Sequence, residues 1–136
     1  MARNTFYEQD DQYYDTIRLV SGNTLPELNI TLRDSNTAAQ GQTLDPSDPT
    51  TWAIIDLTSV SSVVMKFRKI GATTLKATLP CTIVTPATNG NVIMQWTTDS
   101  LSGVVGDYEG EISLTYNNGK IVSVRDLFKF DIRAGF

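Results

Sequence analysis

Hydrophobic and polar residues alternate with a period of two along most of this chain. Ile17 and Leu19 flank Arg18; Leu28, Ile30 and Leu32 interleave with Asn29, Thr31 and Arg33. Val63, Met65 and Phe67 alternate with Val64, Lys66 and Arg68, and Val92, Met94 and Trp96 with Ile93 and Gln95. Tyr108, Gly110, Ile112, Leu114 and Tyr116 alternate with Glu109, Glu111, Ser113 and Thr115; Phe128, Phe130 and Ile132 alternate with Lys129, Asp131 and Arg133. Successive side chains of a strand point to opposite faces, so this pattern predicts half-buried β-strands. Shorter apolar stretches over residues 53–57, 75–79, ending at Pro80, 82–85 and 121–124 predict further strands. Residues 99–104 suit a single helical turn.

Turn residues punctuate the strands. Asn118-Gly119, between Tyr116 and Ile121, is the strongest hairpin signal, because a tight turn needs residues that tolerate positive φ. Asn89-Gly90 and Gly71 mark two more turns. The count comes to about eight or nine short strands with no amphipathic helix, which predicts an all-β, antiparallel β-sandwich of the immunoglobulin-like kind. Residues 1–14 show neither helical nor strand periodicity and read as an N-terminal extended arm, with the sandwich domain over residues 15–136. The arm carries Phe6, Tyr7, Tyr13 and Tyr14, and aromatics that cannot form a core of their own suit docking on a partner. Residues 34–49, rich in Ser, Asn, Thr, Gln, Gly, Asp and Pro, read as a long exposed loop and a possible contact surface.

Composition narrows the picture. A 136-residue chain with 40% hydrophobic residues can bury a core as one domain. Eleven basic against fifteen acidic residues, a net charge of −4, argue against a nucleic-acid binder, which needs clustered Lys and Arg. No apolar run approaches the ~18 residues of a membrane helix, and the polar, acidic start does not resemble a secretory signal. The single cysteine, Cys81, cannot form an internal disulfide, which fits folding in a reducing cytoplasm.

The usual chemistries lack their parts. Acyl transfer through Ser or Cys normally needs a positioned base, most often histidine, and the chain has none. Cys81 reads as a small buried hydrophobe. Glu109 and Glu111 share one strand face at about 7 Å by strand geometry, a separation that inverting glycosidases use; a solvated outer face explains them more simply. Asp45, Asp48 and Asp56 lack the ligand alternation of a calcium loop, and Pro46 and Pro49 stiffen the segment. No cofactor is expected. Trp96 falls on the face of Val92 and Met94 and reads as core. Trp52, beside Asp45 and Asp48, is the one tryptophan expected to be exposed, where it could stack on a sugar.

Four stretches, taken in order, resemble a known module. The strand Ile17–Val20 runs into Ser21-Gly22-Asn23-Thr24, then Pro26 and a strand ending at Asp34. Ile55-Asp56-Leu57-Thr58 precedes the strand through Val63 and Phe67 to Lys69 and Gly71. Asn89-Gly90-Asn91-Val92 opens a strand ending at Trp96, followed by Leu101 and Gly106-Asp107-Tyr108-Glu109. Asn118-Gly119-Lys120 precedes the closing strand from Phe128 to Ile132. This order is similar to the N-terminal β-sandwich domain of the phage baseplate upper protein family. Asn23 stands where that family usually has Asp. The family usually continues into a helical linker and a C-terminal module, whereas this sequence stops at Phe136. Tyr108 resembles the tyrosine corner of sandwich folds, where a hydroxyl ties down a crossing loop.

The resemblance implies a non-enzymatic structural component of a tailed phage virion, synthesised in the host cytoplasm: a tail or baseplate adaptor assembled in several copies with other virion proteins. Two alternatives stay open. One is a capsid decoration protein clamping the head lattice. The other is a carbohydrate-binding module that meets a host glycan through Trp52 and the loop of residues 34–49.

Overall fold

A computed structural model describes residues 4–9, 12–13, 16–24, 27–97, 99–124 and 127–136. Eleven strands follow one another: β1 Asn4–Gln9, β2 Gln12–Tyr13, β3 Thr16–Val20, β4 Leu28–Ala38, β5 Trp52–Ile54, β6 Val60–Lys69, β7 Ala77–Ile83, β8 Asn91–Met94, β9 Gly106–Tyr116, β10 Ile121–Ser123 and β11 Phe128–Arg133. Among the described residues helical geometry is confined to two single 3-10 turns, Pro49–Thr51 and Ala87–Asn89. The helical turn expected over 99–104 is instead a chain of reverse turns, with Ser102 N–H donating to Asp99 and Val104 N–H to Leu101.

The chain is all-β, and its strands join in a single hydrogen-bonded path, β2-β1-β4-β8-β7-β6-β9-β11-β3, with β10 also on β9 and β5 also on β4. Every pairing is antiparallel except β3 with β11, which run parallel from Thr16↔Lys129 to Val20↔Arg133. The sheet curls. Tyr13 and Thr16 belong to opposite ends of the path, yet three chain steps span at most about 11 Å.

The alternating positions fill one core. Leu28, Ile30, Leu32, Val63, Met65, Phe67, Val92, Met94, Ile112, Leu114, Phe130 and Ile132 are all buried. Phe67 sits at its centre, stacked on Tyr108 at 5.0 Å and meeting Trp96 and Phe130 edge-on at 5.4 Å each. Offset and edge-on pairs place ring edges against ring faces, which adds to the stabilisation from burial. The tyrosine corner expected at Tyr108 is not found among the described residues: its hydroxyl makes no hydrogen bond to them, and its ring belongs to the Phe67 stack. Trp96 also buries its indole N–H without a hydrogen-bond partner.

Two glycines are required by close approach. Gly90 has φ +67, and a Cβ there would lie 2.6 Å from Ile54 Cγ2 and 2.7 Å from the Ile55 carbonyl oxygen. Gly110 lies where β9 crosses the core, and a Cβ there would lie 2.7 Å from Met65 Sδ. The Asn118-Gly119 turn closes the β9–β10 hairpin as expected, with Gly119 N–H bonded to the Tyr116 carbonyl and Thr115 opposite Ile121.

Three local expectations change. Residues 77–83 form one strand through Pro80 rather than two pieces separated by it. Cys81 is in register with both Val63 of β6 and Met94 of β8, so β7 passes from one neighbour to the other there. A proline is tolerated beside such a handover because a neighbouring ladder starts or stops. Leu75 lies outside the strand and is 49% exposed. Residues 4–9 and 12–13 are strands despite lacking alternation: Asn4–Tyr7 pair with Tyr7's partner Ile30 through Arg33 of β4, and Glu8 and Gln9 pair with β2. Backbone hydrogen bonds make that ladder, and they need no side-chain pattern.

Candidate functional site

The end of β4, which runs on to Ala38 where a loop was expected from residue 34, and the loop that follows it are held closed from within. Asp34 accepts hydrogen bonds from the Asn36 amide (2.9 Å) and the Thr37 hydroxyl (3.0 Å). Asp45 accepts from the amide and hydroxyl of Ser47 at 2.9 and 2.7 Å. Asp48 caps the turn Pro49–Thr51 by accepting from the amide and hydroxyl of Thr50 at 3.1 and 2.7 Å. Short acidic side chains that bond the backbone two residues ahead form turns of this kind. The Ser47 hydroxyl holds the Asp45 carboxyl below its usual value, and the Thr58 hydroxyl does the same for Asp56.

Trp52 does not form the exposed platform expected of it. Only 3% of its surface is accessible, and its indole N–H donates to the Asp45 carbonyl at 2.9 Å. The tryptophan is the peg on which the loop hangs: the ring is buried, and its polar edge finds a backbone acceptor inside. Asp45, Asp48 and Trp52 are therefore together in space, but as one self-bonded unit. Among the described residues no group of three or more Cys, Asp or Glu side chains could hold a metal ion.

Glu109 and Glu111 lie on the outer face of β9, with a different environment from the open one expected. Glu109 is buried to 8% accessibility. It stands directly opposite Arg68 of β6 and Lys129 of β11. Arg68 Nε lies 2.8 Å from its Oε2, and Lys129 Nζ lies 3.9 Å from its Oε1. One carboxylate thus binds two strands' cations in a transverse row. Lys66 stands opposite Glu111 in the same manner. Leu75 and Leu127 join Lys66, Arg68, Glu109 and Glu111 around a shallow depression of about 110 Å³. Charge of opposite sign on outward positions of adjacent strands was present in the sequence; what periodicity could not supply was that β6, β9 and β11 are neighbours.

Cys81 is shielded at the β7 handover. Burial pushes its thiol up to about 12, so it is a protonated, weakly nucleophilic group at neutral pH.

The arm falls partly outside the description. Phe6, Tyr7 and Tyr13 have their backbones in β1 and β2, while Tyr14 lies outside the described residues. The ends of the sheet are the other surfaces of interest. At one end are β2 and β1; at the other is β3, whose only strand partner among the described residues is β11. Outward positions there carry Arg18, Lys129, Asp131 and Arg133. No helix among the described residues is long and apolar enough to cross a membrane.

No protein-family model matches the chain. No curated protein matches it either. Among solved structures it is similar to CopC from Methylosinus trichosporium OB3b, at 8% identity and a TM-score of 0.45 over 90% of this chain and 88% of that one. A likeness at that level carries no argument about function.

Proposed function

We propose that this chain is a non-enzymatic structural component of a tailed phage virion, a tail or baseplate adaptor that assembles in several copies with other virion proteins. The observation that carries the reading is the construction of the sheet. Its middle is rigid and cross-braced, while both ends offer strand backbone for pairing. Strand edges present rows of amide and carbonyl groups, which natural proteins cover when they are not used for assembly. The β1–β4 ladder is antiparallel and made by backbone, and the same ladder made between copies is the docking mode proposed for the arm with Phe6, Tyr7, Tyr13 and Tyr14.

The finer architecture belongs to this proposal. The handover at Cys81 supports two layers, one of β1, β4, β5 and β8, the other of β6, β9, β10, β11 and β3. Trp96, which follows β8, packs on Phe67 of β6 and Phe130 of β11, as facing layers would. That arrangement supports the immunoglobulin-like sandwich implied by the resemblance. The burial of Trp52 removes the surface on which the glycan-binding alternative relied.

Immunogold labelling of intact virions with an antibody to this protein tests the reading. Label on the tail shaft or tip supports the adaptor. Label over the head replaces it with the decoration protein. No label, with the epitope shown to be accessible, overturns a virion role.

A further inference from the structure

Four strands have a single strand partner among the described residues: β2, β3, β5 and β10. β2 has two residues, β5 and β10 have three each, and β3 has five. Short edges, prolines and bulges are the usual guards against unwanted pairing. β3 has no proline, and its register with β11 runs unbroken from Thr16 to Val20.

The backbone of this edge is open. Ser21 N–H donates to the Arg133 carbonyl. Along a strand the polar groups of successive residues point to opposite edges, so Ile17 and Leu19 share Ser21's direction toward β11. Thr16, Arg18 and Val20 therefore point theirs away from the sheet. The Val20 carbonyl accepts from the Asn23 amide, while the outward groups of Thr16 and Arg18 have no partner among the described residues. Both residues are exposed.

The charge beside the edge is opposite to that of the protein. The chain carries a net −4, yet a depression of about 240 Å³ here is lined by Arg18, Leu19, Val20, Asp131 and Arg133. Asp131 stands in register with Arg18 on one side and Asp107 on the other. Even so, the Arg18 side chain makes no hydrogen bond or ion pair among the described residues. Arg133 donates to the Ala134 carbonyl at 2.9 Å and lies over the Phe136 ring at 5.2 Å.

Two copies of this edge do not suit each other. Antiparallel pairing of β3 with β3 centred on Arg18 sets like charges face to face, which is destabilising. A strand from a different protein suits it if its side chains match the two faces. On the inner face it continues the rows of Ile17 and Leu19, both buried, so apolar residues fit there. On the outer face it stands beside Arg18, where a carboxylate fits.

We propose that the β3 edge accepts an extended segment of a partner protein, apolar at every second position and acidic in between, which adds one strand to the sheet. Backbone hydrogen bonds to Thr16 and Arg18 hold the segment, and charge pairing with Arg18 and Arg133 selects it. The inference deepens the assembly reading by naming the chemistry of the partner, and it rests on that reading.

Titration of the isotope-labelled full chain with a short capped peptide alternating Val and Glu, followed by NMR, tests it. The expected result is a saturable shift of the Thr16, Arg18 and Val20 amide signals, weakening as salt rises from about 50 to about 500 mM. The same peptide with Lys in place of Glu should not bind. Arg18→Glu, an exposed substitution that should leave the melting temperature near the parent value, should weaken the Glu peptide about tenfold or more and admit the Lys peptide. Methylating the amides along one edge of the Glu peptide keeps its charge but removes its strand bonds, so binding should vanish. No saturable shift on β3 at millimolar peptide overturns the inference. Binding that survives methylation also overturns it, since that is attraction to a side chain without an added strand. Peptide binding with unlabelled virions would defeat the phage reading alone; labelled virions with no peptide binding would defeat this one alone.

Discussion

The middle and the ends of this sheet are built on different principles. β9 in the middle is flanked by strands on both edges and covered on both faces: Ile112 and Leu114 point into the core, while Glu109 and Ser113 on the opposite face are also buried. β3 at one end has one neighbour and alternates strictly, with Ile17 and Leu19 inward and Arg18 outward. A strand held on four sides loses most when any neighbour is removed. A strand held on two sides keeps polar backbone groups available for another chain. Stability is concentrated where the protein braces itself, and the backbone groups that the proposed assembly would use lie where it does not.

The largest test of this contrast is Phe67→Ala against Ile17→Ala. Phe67 touches Trp96, Tyr108 and Phe130, so its loss should cost about 3–5 kcal/mol in urea unfolding. Ile17, at the sheet's end, should cost about 2 kcal/mol, the low end of such truncations. Equal costs would erase the distinction. Gly90→Ala comes next, since it combines a positive φ with a Cβ pressed on a backbone carbonyl. It should destabilise by about 1–3 kcal/mol, and a silent substitution would mean that the turn relaxes freely.

Cys81 sharpens the contrast through pH. Its folded value of about 12 lies above the unbound thiol's 9.0. Unfolded chains therefore lose this proton first as pH rises. The contribution to stability is fully present below about pH 9 and is lost progressively toward pH 12. Denaturation series for the parent and Cys81→Ala should diverge in slope only in that window. At pH 8 a thiol reagent should modify the folded protein far more slowly than the urea-unfolded one. The smallest effect belongs to Glu109→Gln. Its cations are about half exposed, with Arg68 at 44% and Lys129 at 50%, so the loss should be about 1 kcal/mol or less and shrink with added salt.

Local periodicity revealed which residues face inward, because burial on one face leaves its imprint on every second position. Leu28, Ile30 and Leu32, Val63, Met65 and Phe67, and Phe128, Phe130 and Ile132 were all legible in this way. Partnership was not. Nothing near Glu109 in the chain identifies Arg68 and Lys129 as its neighbours, and nothing near Thr16 identifies Lys129. β1 escaped notice because a backbone ladder imposes no side-chain alternation. Trp52 was misplaced for a related reason: its acceptor is the Asp45 carbonyl, and carbonyls are the same at every position. The loop expected over residues 34–49 starts later than the composition suggests: residues 34–38 continue β4 and pair with β5, and only the stretch after Ala38 is loop.

The parallel ladder between β3 and β11 has a consequence in time. Its partners lie more than about a hundred positions apart, so it cannot form until nearly all of the chain has left the ribosome. Until β11 arrives, the first half of β9 lacks its second neighbour and β3 has none among the described strands. The nascent protein must therefore wait with strand edges unpaired and apolar faces uncovered, and β11 acts as a latch that commits the sheet at once.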